Sequence, residues 1–307
     1  MVATARLRRW CAEEDWKHAE TPPLLKKPSS DPSELKNFRP ISLLPYPTTV
    51  LEKAINAQLR NFTEVNNSLD SSQSGFRSNH STERALLAAT NHIRLLLDRG
   101  HTAAIILLDL SAAFNTVSHS TLHTGLHDIG ICQRALKLIH SFLSRRTQRV
   151  RLPPYTSRPT GVNCGGSSLS PTLFNIYMAP LAAIVRSYGM NIMSYTDDTQ
   201  LIISLNEDPD MAKRNFHSRM EAVTIWMRES CLKHNSNKTE LIIFGNATSA
   251  WDDSWGPTSL SSPPALTEHA RNLGIILDSS LSMTCQVNSV TSSVESQQTV
   301  AGQPPTP

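Results

Sequence analysis

Ile192-Met-Ser-Tyr195-Thr196-Asp197-Asp198-Thr-Gln200-Leu-Ile-Ile203 sets two adjacent carboxylates between apolar runs. The pattern reads as a β-hairpin with both acids at its tip. Two carboxylates this close repel each other unless a cation sits between them, which points to a divalent-metal site and from there to phosphoryl chemistry. Asp-Asp is equally a common turn dipeptide, because short side chains bond their own backbone. The pair by itself leaves both readings open.

A third acid strengthens the metal reading. Ala103-Ala-Ile-Ile-Leu-Leu-Asp109 is a short apolar run ending in a carboxylate, the pattern of a strand buried on both faces. Burying a lone carboxylate at such a strand end costs several kcal/mol unless it reaches solvent or holds a metal. Asp109 is therefore expected beside Asp197 and Asp198. Three converging carboxylates would hold two Mg²⁺ (or Mn²⁺) ions about 3.5–4 Å apart, the arrangement of nucleotidyl transfer. Asp109 could also cap a helix opened by Ser111-Ala112-Ala113-Phe114, and spacing alone does not choose.

Elsewhere, apolar spacing predicts helices within 35–100, over 121–144 with a break at Gly130, from Pro171 to Val185 and over 210–232. Strands are expected at Val150-Arg-Leu152 and Leu241-Ile-Ile-Phe244, giving an α+β fold with an antiparallel sheet. The 307 residues carry a net charge of only +3, but the basic groups cluster. Arg145, Arg146, Arg149 and Arg151 precede a glycine-rich stretch, and Lys26, Lys27, Lys36 and Arg39 lie near the start. Such groups could neutralise phosphates or form a solvated face.

The 5 cysteines are scattered without a Cys-x-x-Cys pair, which argues against a disulfide framework, a disulfide-linked partner or structural zinc. It fits a reducing, intracellular compartment. No apolar stretch has the length of a membrane span, the start does not read as a secretory signal, and there is no Gly-x-x-x-x-Gly-Lys-Ser/Thr phosphate loop.

Further blocks join these in order. They are Thr21-Pro-Pro-Leu-Leu-Lys26-Lys27, Leu35-Lys-Asn-Phe-Arg39-Pro-Ile-Ser-Leu-Leu44, Gln73-Ser-Gly75-Phe-Arg77-Ser-Asn-His-Ser-Thr82 and Leu108-Asp109-Leu-Ser-Ala-Ala-Phe114. Gly161-Val162 to Leu173-Phe174, Tyr195-Thr-Asp197-Asp198, Leu232-Lys-His-Asn-Ser-Asn-Lys238-Thr-Glu240 and Asn272-Leu-Gly-Ile-Ile-Leu-Asp278 complete the series. The series resembles the reverse transcriptase of non-LTR (LINE-type) retrotransposons. The resemblance implies a polymerase right hand with fingers and a palm on an antiparallel sheet, extending a DNA primer on an RNA template with dNTPs. In it Asp109, Asp197 and Asp198 would hold the metals. Arg39 and Lys26 or Lys27 would contact the triphosphate, and Phe114 would exclude a ribose 2′-OH. Gly166 and Ser167 would line the base-pair platform, and Gln73, Arg77, Arg145, Arg146 and Arg149 would face nucleic acid. Lys238 would protonate pyrophosphate or simply cap the palm.

The chain departs from the family at three places. Asn115 replaces an acid, Thr196 replaces Ala, and Gly161-Val-Asn-Cys-Gly-Gly-Ser167 is one residue longer than the family's Gly-Val-Pro-Gln-Gly-Ser. An inserted residue moves the backbone by up to about 3.5 Å, and misplacement by about 1 Å can cost on the order of a hundredfold in rate. A catalytically silent remnant that at most binds nucleic acid is therefore the alternative to an active polymerase. The expected organisation is a poorly ordered lead-in over 1–20, a fingers-like part over 21–102, a palm with its thumb-entry hairpin over 103–283, and a disordered tail over 284–307. The change of composition after Met283 is read as a frameshift or a mispredicted exon, with the thumb largely missing.

Overall fold

Polar residues do not alternate with apolar ones along Thr102–Leu108, and the strand is walled in on both faces: Ala103, Ala104, Ile105 and Ile106 are fully buried. The computed structural model describes residues 14–111, 113–162, 166–206, 208–235, 237–245 and 264–301. The strand is the middle of five, in the order Ala265–Leu266, Glu240–Phe244, Thr102–Leu108, Asp198–Leu205, Asn191–Tyr195. Glu240–Phe244 and Asp198–Leu205 flank it antiparallel, and Ala265–Leu266 joins the edge in parallel. Ile105 lies opposite Ile242 on one side and Ile202 on the other. Paired residues share a sheet face, so the three isoleucines form one apolar row.

That row is covered by Ala89, Ile93 and Leu96 of the helix Thr82–Asp98, which share one helical stripe, and by Ala270 and Leu277 of the hairpin His269–Asn272/Ile275–Asp278. Leu273 and Gly274 both have positive φ (46° and 94°), as a two-residue turn matched to strand twist requires. This unit consists of Ser78–Leu110, Leu181–Trp226 and the chain from His234. The expected boundary at 102/103 is corrected: Thr82–Asp98 belongs with the sheet, because its apolar stripe is completed by the strands that follow it.

The other unit takes the chain up to Arg77, Ser111–Pro180 and Met227–Lys233. Its helices Tyr46–Val65, His119–Asp128 and Gln133–Leu143 include a pair joined by a short loop, with Gly130 (φ 94°) making the expected break. Leu122, Leu126, Ile139, Phe142 and Phe174 lie in its core. The lead-in is corrected here. His18–Thr21 is a strand, parallel to Thr147–Leu152, with His18 opposite Thr147 and Thr21 opposite Val150. The backbone bonds of this parallel ladder order a segment whose own side chains promised little. Residues 1–13 lie outside the described residues.

Two long helices, Ser170–Ser187 and Pro209–Glu229, follow the predicted periodicity. The disordered tail is also corrected, since Thr284–Ala301 is helical. Ser282 Oγ accepts the Thr284 N–H at 3.2 Å, and Gln286 Oε1 accepts the Ile276 N–H at 2.8 Å. A capped first turn tied to the hairpin supplies what composition lacked; residues 302–307 lie outside the described residues. No helix of the described residues is long and apolar enough to cross a membrane.

Candidate active site

The ladder register brings the acids together. Thr199 pairs with Leu108, so the next step along both strands sets Asp198 beside Asp109, on the same side of the sheet. Asp198 also pairs with Tyr195 across the hairpin, leaving Thr196 and Asp197 as its two-residue turn. Thr196 is buried and has φ +64°, a left-handed backbone that a β-branched residue rarely adopts.

Asp109 is held by the loop before Glu240–Phe244. Asn235 Nδ2 donates to Asp109 Oδ2 at 2.8 Å, and Asn235 N–H donates to the Asp109 carbonyl at 2.9 Å. Thr239 Oγ1 accepts the Asp109 N–H at 3.3 Å. Among the described residues the partners of the Asp109 carboxylate are side chains on its Oδ2, and none is the N–H of a helix's first turn. Lys238 Nζ lies 3.9 Å from Asp109 Oδ2 and is largely exposed, so the pair is weak in energy although its charge is well placed. His234, also near Asp109, has its pKa lowered by burial, with the Asp109 charge opposing.

Burial, with the Asp197 and Asp109 charges adding to it, pushes the Asp198 carboxyl up to about 6. Burial and Asp109 raise that of Asp197 as well. Asp198 is itself an exposed residue, so water screens much of this penalty and it is the upward direction of the shift that stands. Unrelieved like charges and an all-oxygen donor set fit a hard divalent cation. Among the described residues no three acidic, histidine or cysteine side chains form an ion cage unaided. Mg²⁺ is usually held by one or two carboxylates together with water and substrate phosphates, so a full protein cage is not required.

The remaining predicted residues lie in the other unit, except Lys238. Arg39 and Lys26 sit on the ribbon Pro23–Leu25/Phe38–Pro40, where Arg39 pairs with Leu24 and Lys26 N–H donates to the Asn37 carbonyl; Lys27 follows, and all three are exposed. Phe114 is half-buried on the short helix Ala113–Thr116, its ring 4.9 Å from that of the fully buried Phe174. Gly166 has φ +75°, and a Cβ there would overlap Ser42 Oγ and Cβ. Ser167 Oγ accepts the Leu169 N–H at 3.0 Å. The extra residue of this block falls within 163–165, outside the described residues.

Several basic and amide groups read as nucleic-acid contacts are used internally. Gln73 is buried, donating to Asn175 Oδ1 at 3.0 Å and accepting the Gly75 N–H at 3.1 Å. Arg77 donates to the Asp70 and Gln73 carbonyls at 2.8 and 3.1 Å. Arg146 is buried, 4.8 Å from the Phe142 ring centre, and its charge opposes the burial that raises the Glu52 pKa. Arg145 and Arg149 keep surface open to solvent, while Arg151 pairs with Glu20 at 2.7 Å.

Sequence reading missed Glu52, Asn56 and Asn235. Glu52, one turn before Asn56 on Tyr46–Val65, accepts Ser168 N–H and Oγ–H at 3.0 and 3.1 Å, while Asn56 Nδ2 donates to the Ser168 carbonyl at 2.8 Å. A carboxylate on a predicted helix is ordinarily a surface group, so no local signal marked it.

Carboxylates thus meet at adjacent strand ends of an antiparallel sheet, with Asn235 and the cationic Lys238 on the next loop, an oxygen-rich arrangement suited to a divalent cation. The chain belongs to the reverse transcriptase (RNA-dependent DNA polymerase) family, whose sequence pattern matches residues 25–277. It is 26% identical over 241 residues to the RNA-directed DNA polymerase from mobile element jockey of Drosophila melanogaster, a match covering 76% of this chain and 26% of that protein. The Drosophila funebris counterpart is 26% identical over 275 residues, covering 87% of this chain and 30% of the relative. This chain thus spans less than a third of these curated relatives. Among solved structures, telomerase from Candida albicans, in complex with a fragment of telomeric RNA, superimposes with a TM-score of 0.57 at 12% identity. That match covers 88% of this chain and 45% of the telomerase, a likeness of fold.

Proposed function

We propose that this chain is the catalytic part of an RNA-directed DNA polymerase that joins dNTPs to a primer 3′-hydroxyl on an RNA template. The observation that carries the reading is the meeting of Asp109 and Asp198 at adjacent strand ends, with Asp197 in the turn between strands. Mg²⁺ or Mn²⁺, when bound, supplies a lowered pKa for the attacking hydroxyl and charge neutralisation for the leaving pyrophosphate. Asp109, Asp197 and Asp198 would hold it.

In this reading the architecture is a palm carrying the carboxylates, with a fingers-like part drawn from the sequence before it. The 3.9 Å separation of Lys238 from Asp109 supports a role in which its ammonium would donate a proton or offset carboxylate charge, beside the simpler one of capping the palm. Arg39, Lys26 and Lys27 share one exposed ribbon and are the phosphate-binding candidates, Arg39 offering a planar fork. Phe114 is the candidate gate against ribonucleotides; its backing by Phe174 gives the ring a fixed wall. Gly166 and Ser167 remain the platform candidates. Arg145 and Arg149 are the solvent-facing nucleic-acid candidates, whereas the internal contacts of Gln73, Arg77 and Arg146 support a part for them in positioning the segments around such an interface.

Primer extension on an RNA template with dNTPs and Mg²⁺ tests the proposal, with Asp197→Asn as control. Extension by the natural chain and not by the variant is the expected result. No extension by folded natural chain would overturn it and leave a silent reverse-transcriptase fold.

A further inference from the structure

We infer that Asn235 is a positioning residue for the metal-binding carboxylate of Asp109, fixing Oδ2 so that Oδ1 is the oxygen left to a cation. The inference rests on reading Asp109 as a metal carboxylate. It does not require the chain to polymerise.

One residue grips both the main chain and the side chain of another. Asn235 N–H donates to the Asp109 carbonyl at 2.9 Å, and its side-chain amide donates to Oδ2 at 2.8 Å. An ionised carboxylate can only accept, so the amide nitrogen is the atom that faces it. Because the acceptor is charged, this bond is among the stronger kinds. Lys238 approaches the same oxygen at 3.9 Å, which adds charge to Oδ2 without the directionality of the amide.

The fold does not depend on the amide. Asp109 N–H donates to Thr239 Oγ1 at 3.3 Å, Thr239 Oγ1 donates to the Asn235 carbonyl at 3.1 Å, and Asn235 N–H returns to the Asp109 carbonyl. This ring closes through backbone groups and Thr239, which is fully buried. Deleting the Asn235 side chain leaves the ring intact and frees only the carboxylate. A carboxylate that can rotate must be ordered again when it ligates, and groups that orient ligands in this way typically contribute 10- to 100-fold to metal affinity.

Mn²⁺ titrations of the full chain, followed by water-proton relaxation, read this without any polymerase assay. Asn235→Ala should weaken Mn²⁺ binding by about tenfold with little change in melting temperature. Asn235→Leu, which keeps the shape and deletes the donor, should do the same and serves if the alanine variant folds poorly. In an Asp109→Asn background the Asn235 substitutions should have no further effect, a coupling that a general loss of structure would not produce. Wild-type affinity in both Asn235 variants, a loss that persists in Asp109→Asn, or no Mn²⁺ binding by the wild type would each overturn the inference. Mn²⁺ binding that depends on Asn235 in a chain that extends no primer would defeat the polymerase reading alone.

Discussion

Gly166→Ala isolates the contact that seats the glycine-rich block. Gly166 has φ +75°, and an added Cβ would overlap Ser42 Oγ and Cβ, with the Ser42 Cα next at 3.6 Å. The left-handed backbone costs an alanine about 1–2 kcal/mol, partly offset by about 0.4–1 kcal/mol from a less flexible unfolded chain. Overpacking adds about 1–3 kcal/mol. The sum is a loss of about 1–5 kcal/mol, centred on roughly 3 and measurable by urea unfolding. Ser42→Gly removes both overlapping atoms, so in that background the same Gly166→Ala change should cost only about 1 kcal/mol, the backbone share. Ser42 also donates to Gln148 Oε1 at 3.2 Å, but that bond is missing from both arms of the second comparison and cancels. Equal costs of Gly166→Ala in the two backgrounds would refute the contact, and no cost in either would refute the strained conformation as well.

Other expectations follow from the same geometry. The Asp198 carboxyl, pushed up to about 6, lets the native state bind more protons than the unfolded chain between its ordinary value and 6. Metal-free stability should therefore fall as pH rises through that window, and urea midpoints from pH 4 to 7 should show the fall flatten in Asp198→Asn. Phe114→Ala should admit ribonucleotides during primer extension, seen as alkali-labile product; unchanged sugar selection would remove the gate assignment. Phe244→Ala, at a fully buried position of the sheet core, should lower stability by about 3–5 kcal/mol in denaturant titrations. Arg149→Ala should reduce the salt slope of single-stranded RNA binding by about 0.7, whereas Arg146→Ala should lower stability because Arg146 is buried.

What sequence made legible was local. The uninterrupted apolar run from Ala103 to Leu108 and the acid-tipped hairpin marked out two strands and three carboxylates, since strand burial and turn chemistry are written in neighbouring residues. What it left dark was pairing across long separations. Asn235 meets Asp109 126 residues away, and Glu52 meets Ser168 116 residues away; a polar residue destined for such a partner has the same local signature as one destined for water. The strand His18–Thr21 and the helix Thr284–Ala301 were hidden for related reasons: the strand gains order from a distant parallel neighbour, the helix from a cap and a tether.

The interleaving of the sheet bears on how the chain leaves the ribosome. Thr102–Leu108 is flanked on one side by Asp198–Leu205 and on the other by Glu240–Phe244. At about 5–20 residues per second, the central strand waits on the order of ten seconds for its last neighbour to be made. During that interval an almost wholly apolar strand presents unpaired backbone, the template on which another nascent chain can add itself. Slow translation between Leu108 and Glu240 should lower the yield of folded protein, and chaperones that mask extended apolar segments should restore it.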